Sequence, residues 1–320
     1  MKICVYGAGA VGGLMAAWLS RAGHDVCVVA RGARLDAIRR DGLRVRSKGR
    51  SAAFKVRAES DPARLGPQDY ILLTVKAQSL AEVAAAIGPL LAKDTAIVTA
   101  MNGVPWWFLG MRLESLDPGG ALTRAMPSER IVGCVIHLAA STPEAGLIQH
   151  NMGNKLILGE PGGRNTARTR RIADALNAAG FEAVTSEAIE KDFWVKLLGN
   201  VSFNPVSALT VSTADRLIES REVKDYMVQI MREVLAIGRA VGVDADIDPE
   251  ARIDMARVLG PFKTSMLQDL EAGKPLEIDG LLAGTLEIAE KAGVQAPFTQ
   301  SLFGLIRARA TSSNQYQPAQ

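Results

Sequence analysis

Lys2-Ile3-Cys4-Val5-Tyr6-Gly7-Ala8-Gly9-Ala10-Val11-Gly12 leads from an apolar strand pattern through three spaced glycines, and an apolar helix pattern follows from Val11 to Arg21. A second apolar run, Asp25 to Ala30, comes next. Strand, turn, helix and strand in such close order mark a parallel sheet. The glycines match G-x-G-x-x-G, and their chemistry suits a dinucleotide. Gly7 permits the tight turn, Gly9 lets the backbone approach a pyrophosphate, and Gly12 lets the helix pack on the sheet. The expected cofactor loop is therefore Gly7, Ala8, Gly9, Ala10, Val11 and Gly12, with phosphates meeting unpaired N–H groups at the positive helix end. Chance glycine-rich turns also match this pattern. Its position between strand one and helix one is what gives it weight.

Working outward, the alternation continues with a strand at Tyr70 to Val75, a helix at Ser79 to Leu91 and a strand at Thr95 to Ala100. Strand-rich sequence follows at Arg130 to Ala140, Gly146 to His150 and Lys155 to Gly159. A helix near Asn165 to Ala179 and a strand at Phe181 to Thr185 close the first half. From Ser186 onward helical periodicity dominates, in Glu187–Leu209, Asp215–Val241, Lys263–Glu271, Asp279–Ala292 and Thr299–Ala310. The expected fold is α/β, with an N-terminal Rossmann-type dinucleotide-binding domain over 1–188 and an all-helical C-terminal domain over 189–320. The cleft between two such domains is the default substrate site. At 320 residues the chain exceeds the size of one ordinary core, which fits two domains. Thr311 to Gln320 are polar and expected to fray.

Composition removes several function classes. The formal net charge is only +3, and 48% of residues are apolar. Arginines cluster at Arg39 to Arg50 and Arg164 to Arg171 without interleaved aromatics, so both read as solvated helix faces rather than a nucleic-acid platform. Cys4, Cys27 and Cys134 lack metal-like spacing and lie in apolar strand runs, as small core residues of a reducing compartment do. No metal site is expected. The N-terminus enters a strand at once, and no stretch of eighteen apolar residues spans a membrane. The reading is a cytoplasmic enzyme with neither nucleic acid nor membrane as partner.

The end of the second strand chooses the dinucleotide. An NAD site usually carries Asp or Glu there. Here Val28-Val29-Ala30 ends in Arg31, with Arg34 one helical turn beyond. A guanidinium grips a 2′-phosphate with paired, charge-assisted hydrogen bonds, whereas a carboxylate repels it. Arg31 therefore selects NADP. Lys76 follows the strand Leu72-Leu73-Thr74-Val75, and Asn102-Gly103 follow the next one, so both stand at the carboxyl edge where ligands bind.

In Asp192-Phe-Trp194-Val195-Lys196-Leu-Leu-Gly-Asn200-Val-Ser-Phe-Asn204-Pro205, Lys196, Asn200 and Asn204 recur at four-residue spacing and form one polar stripe. Their neighbours are apolar. A lysine so surrounded faces a cleft or a heavy desolvation cost, and aligned asparagines favour the cleft. Ketone reduction needs positive charge and a proton at the developing alkoxide, both of which an ammonium supplies. Glu277, between apolar residues just before a helix, is either a site carboxylate or a plain helix N-terminal one.

Together these residues resemble the ketopantoate reductase (2-dehydropantoate 2-reductase) family, of the 6-phosphogluconate dehydrogenase-like fold group. The resemblance covers nearly the whole chain. It is carried by the glycine loop with Arg31, Val75-Lys76-Ala77, Asn102-Gly103, Gly133 to His137 before Leu158-Gly159-Glu160, the Lys196 stripe, and Ser265-Met-Leu-Gln-Asp269 followed by Glu277. It implies that Lys196 is the general acid and that Glu277 sits near the substrate hydroxyl and the cofactor. Asn200, Asn204 and Ser265 would hold substrate polar groups. Lys76 and Asn102 would bind cofactor, Asn102 also meeting substrate, and Ala139 would line the cofactor through its backbone. The implied reaction takes NADPH and 2-dehydropantoate to (R)-pantoate and NADP, a step toward pantothenate and coenzyme A. The partner is then a small 2-oxo acid, and a homodimer is left open.

Two departures bear on the substrate. Pro105-Trp106-Trp107-Phe108 opens a long excursion to Arg130, whose tryptophans either wall the pocket or cap the sheet. Thr210 to Arg216 lacks an asparagine that some family members place there. The rival readings are a paralogue reducing a different 2-oxo acid and a non-catalytic NADPH sensor.

Overall fold

The structure is a computed structural model that describes residues 1–316. Its contacts divide the chain into two compact units, Met1–Met101 with Ala121–Ile189, and Asn102–Gly120 with Glu190 onward. The expected boundary near residue 188 did not anticipate that Asn102–Gly120 groups with the second unit.

The first unit runs β1 (Lys2–Tyr6), α1 (Ala10–Arg21), β2 (Asp25–Val29), α2 (Gly32–Asp41), β3 (Leu43–Ser47), β4 (Arg50–Phe54), β5 (Arg57–Glu59), β6 (Gln68–Leu73), α3 (Leu80–Ala86) and β7 (Leu91–Thr99). It resumes with α4 (Ala121–Ala125), β8 (Ile131–Glu144), β9 (Leu147–Gly159), α5 (Ala167–Ala179) and β10 (Glu182–Thr185). The described strands form one sheet in the order β4-β3-β9-β8-β7-β6-β1-β2-β5, with β10 also on β9. β7, β6, β1 and β2 are mutually parallel, so their carboxyl ends share one edge. In β1, Ile3 to Tyr6 are all buried, as a central parallel strand covered on both faces requires. Leu14 to Leu19 of α1 pack into the same core.

The arginine-rich stretch 39–50 is not one helix face. α2 ends at Asp41, where Gly42 turns with φ +75°, and the chain becomes the β3–β4 hairpin. Leu43 and Val45 are buried while Arg44 and Arg46 point away, a period-two pattern that the charge had masked. The second cluster departs as well: Arg168 on α5 forms an ion pair at 2.6 Å with Glu160, which is only 1% exposed. β8 and β9 are longer than expected and form an antiparallel hairpin.

The second unit contains no strand among the described residues. Its helices are α6 (Ile189–Thr210), α7 (Ala214–Glu219), α8 (Arg221–Ala240), α9 (Pro249–Met255), α10 (Ser265–Glu271), α11 (Gly284–Lys291) and α12 (Pro297–Ser312). A π-helical turn, Asp279–Ala283, leads into α11. The helix expected over Asp215–Val241 breaks at Ser220, and α9 was not anticipated. No described helix is long and apolar enough to cross a membrane.

The expected fraying at the C-terminus is contradicted as far as residue 316; residues 317–320 lie outside the described residues. Gln315 is 5% exposed, and its amide donates to the carbonyls of Asp269, Leu270 and Lys274. The carbonyl of Gln315 accepts from Leu276 N at 2.9 Å. The polarity of this segment serves hydrogen bonds to backbone rather than solvation.

Candidate active site

Hydrogen bonds level the strand ends in the first unit. Gly7 N donates to Val29 O, Thr74 N to Tyr6 O, and Ala100 N to Leu73 O. Gly7 has φ +104°, a region that only glycine enters without strain. A Cβ on Gly12 would lie 2.2 Å from both Gly7 O and Thr74 Oγ1, so the helix starts as close to the sheet as a backbone can. α1 begins after Gly9 with no side-chain cap, leaving its first N–H groups for an outside acceptor.

Beside this loop lies a cleft of about 200 Å³ lined by Tyr6, Gly7, Ala8, Arg31, Arg34 and Glu82, among others. Arg31, well exposed, pairs with Glu82 at 2.5 Å. Arg34 is half-buried near Gly9, and its Nε is buried without a hydrogen-bond partner among the described residues. Burial pushes the Arg34 pKa down. The Tyr6 phenol is pushed up by burial, a shift that the neighbouring Arg31 partly offsets. A glycine cradle beside two guanidiniums, one partly orphaned, fits the phosphates of a dinucleotide. Lys76, half-buried, caps a short 3₁₀ turn after β6. Ala139, also half-buried, lies where β8 shifts register on both sides.

The second unit gathers the other candidates. Lys196 is half-buried on α6, and its Nζ donates to Asn102 Oδ1 at 2.8 Å. Asn102 is held because the next two residues dock on the π-helical turn. Val104 N donates to Gly280 O at 2.7 Å, and a Cβ on Gly103 would lie 2.4 Å from that oxygen. Gly103 adopts φ +83°, so the turn demands glycine twice over. Glu277 stands three residues before Gly280, half-exposed between the buried Leu276 and Ile278. Asn102, Lys196 and the Glu277 segment thus belong to one packed arrangement.

Asn200 is half-buried and Asn204 is 7% exposed, yet neither side-chain amide has a hydrogen bond among the described residues. Neither amide is among the fully buried side-chain polar atoms, so both keep access to solvent. Ser265 is exposed at the first turn of α10, after Thr264, whose hydroxyl accepts from Leu267 N. No hydrogen bond among the described residues joins Ser265 to the stripe.

The family profile described as Ketopantoate reductase PanE/ApbA matches residues 3–163, and its C-terminal companion matches 188–310. The chain belongs to the ketopantoate reductase family. A 2-dehydropantoate 2-reductase of Mesorhizobium japonicum is 40% identical over 99% of this chain and 100% of that protein. A crystal structure of a provisionally assigned ketopantoate reductase from Ralstonia solanacearum MolK2 has 45% identity and a TM-score of 0.95, covering 98% of this chain and 99% of that one. The 2-dehydropantoate 2-reductase of Geobacter metallireducens GS-15 superposes with a TM-score of 0.88 at 28% identity, covering 97% and 100%.

Within this ketopantoate reductase-family chain both tryptophans of the excursion are buried, and the Trp106 indole Nε1 has no hydrogen-bond partner among the described residues. Trp106 and Trp107 are each 3% exposed; Trp107 meets Phe193 edge-on, and Phe108 stacks on Trp194 at 5.3 Å. Sequence reading missed Tyr6, Glu82 and Arg252. Tyr6 ends a strand as any apolar residue might, and Glu82 reaches Arg31 only through the fold. Arg252 on α9 carries no motif, and its meaning depends on Gly199 of the polar helix.

Proposed function

We propose that the chain reduces 2-dehydropantoate to (R)-pantoate with NADPH, a step toward pantothenate and coenzyme A in the cytoplasm. The observation that carries this is the Lys196 ammonium, 2.8 Å from Asn102 and on the same helix face as the two unpaired asparagines. In this reading the first unit is the NADP-binding domain, and the second, including Asn102–Gly120, supplies substrate contacts and the acid.

Bound NADPH supplies the hydride that the ketone carbon accepts. Lys196 transfers a proton from Nζ to the carbonyl oxygen as negative charge builds there, and its positive charge stabilises that oxygen beforehand. Asn102 accepts one ammonium N–H and so helps to hold the ammonium in place. Asn200 and Asn204 hold the substrate's polar groups, with Ser265 as a further contact. Glu277 accepts from the hydroxyl of the substrate and lies toward the cofactor. The resulting amine is reprotonated from solvent.

On the cofactor side, Gly7, Ala8, Gly9, Ala10, Val11 and Gly12 receive the pyrophosphate, with Lys76, Asn102, Ala139 and Glu277 along the remainder. Arg31 binds the 2′-phosphate. Its partner at present, Glu82, is no strong rival, because both side chains are more than half exposed and such pairs contribute at most about 1 kcal/mol. A charge-assisted bond to phosphate contributes about 1.5–3 kcal/mol.

Steady-state turnover tests the reading, with a panel of 2-oxo acids assayed against NADPH and NADH. Ketopantoate with NADPH should give the highest kcat/KM, and Lys196→Ala should abolish turnover while NADPH still binds. A preference for another 2-oxo acid would move the assignment to a paralogous reductase. NADPH binding without turnover of any 2-oxo acid would leave a sensor.

A further inference from the structure

Arg252 lies on α9, half-buried, with its Nη2 only 3.1 Å from where a side chain on Gly199 would begin. Gly199 is three residues after Lys196 on α6, so the two are neighbours on one helix face. Phe203, one turn on, is buried in the helical core. The guanidinium therefore occupies the space that a glycine leaves open beside the lysine.

An arginine kept only to anchor α9 would pair with an acid. Three acids lie close by in sequence, and all are engaged elsewhere. Asp248 caps the helix through Glu250 N and Ala251 N, Glu250 pairs with Arg232, and Asp254 pairs with Lys224 and Arg257. Among the described residues the Arg252 side chain has no hydrogen bond or ion pair. Burial pushes its pKa down with nothing to offset it. A half-buried guanidinium with no protein partner is suited to an incoming anion.

We propose that Arg252 receives the carboxylate of the 2-oxo acid, placing it beside the Lys196 turn. This rests on the reading of the Lys196 face as the reaction site. A planar guanidinium matches a carboxylate with two parallel hydrogen bonds and distinguishes an acid from its neutral derivatives.

The test compares ketopantoate with its uncharged amide, in wild type, Arg252→Gln, Arg252→Lys and Gly199→Ala. The last keeps the charge but pushes the guanidinium aside. Arg252→Gln should cut kcat/KM for the acid by about ten- to a hundredfold, mostly through KM. Its loss for the amide should be at least about tenfold smaller. Arg252→Lys should recover part of the loss, and Gly199→Ala should resemble Arg252→Gln in KM. Calorimetric titration of pantoate and its amide reads the same contrast without turnover. Equal losses for acid and amide, or no loss for the acid, overturn the role of Arg252. A wild type that binds pantoate but reduces no 2-oxo acid would overturn the proposed reaction while the titration still decides Arg252.

Discussion

Glu160, 1% exposed, gathers four donors around one buried carboxylate. It accepts from Thr166 N at 3.1 Å, from the hydroxyls of Thr166 and Thr169, and from Arg168 at 2.6 Å. Burial pushes its carboxyl pKa up, but these donors together outweigh burial and hold it below the ordinary 4.5. A folded value below the unfolded one means that ionised Glu160 contributes fully above about pH 4.5. That contribution fades as the pH falls through the lower folded value. Glu160→Gln should therefore destabilise the first unit by about 3–5 kcal/mol at neutral pH, since it leaves Arg168 without its charge partner. Urea unfolding across acid pH checks this: the gap from wild type should narrow as the pH falls below about 4.5. A gap that stays constant into acid would sink the account.

At the scale of elements, the C-terminal residues after α12 act as a staple on the segment leading to Glu277. Besides the four bonds of Gln315, the Tyr316 hydroxyl donates to Asp279 Oδ1 at 2.8 Å. Burial and that bond push the phenol up to about 12, so the contact persists well past neutral pH. Gln315→Ala removes the donors from three carbonyls and should cost about 2–3 kcal/mol. Amide exchange should quicken in residues 269–279; a stability loss under about 0.5 kcal/mol with unchanged exchange would contradict the staple. This element was illegible because a polar tail that solvates and one that caps buried carbonyls have the same composition. The glycine loop was legible because its demand is local: Gly7 and Gly12 are required by atoms a few residues or one strand away. The polar stripe was legible for the same reason, being periodic along one helix. The β3–β4 hairpin was hidden by its arginines although Leu43 and Val45 alternate correctly. Arg252 was hidden because its significance comes from Gly199 and from acids engaged with other partners.

For the whole molecule, the discontinuous second unit has a measurable consequence. Val104, Phe108 and Leu113 are buried in the same core as Leu198, Ile230 and Leu302. Glu287 on α11 binds Glu114 N and Ser115 N, both at 2.9 Å. Each large apolar side chain contributes about 1.5–3 kcal/mol on burial, while a domain is stable by only about 5–15 kcal/mol. A fragment of residues 190–320 should consequently fail to fold cooperatively, and a peptide of residues 102–120 should restore a sharp thermal transition. Cooperative unfolding of the fragment alone would show that the segment is dispensable. The same arrangement sets a schedule during synthesis. Val104, Trp106, Trp107 and Phe108 leave the ribosome long before Trp194, Ile230 or Leu302 exist. At about 5–20 residues per second, roughly ten to forty seconds separate this apolar stretch from the last helix that completes its core. The nascent chain, rather than the finished enzyme, is where this protein is most exposed to aggregation.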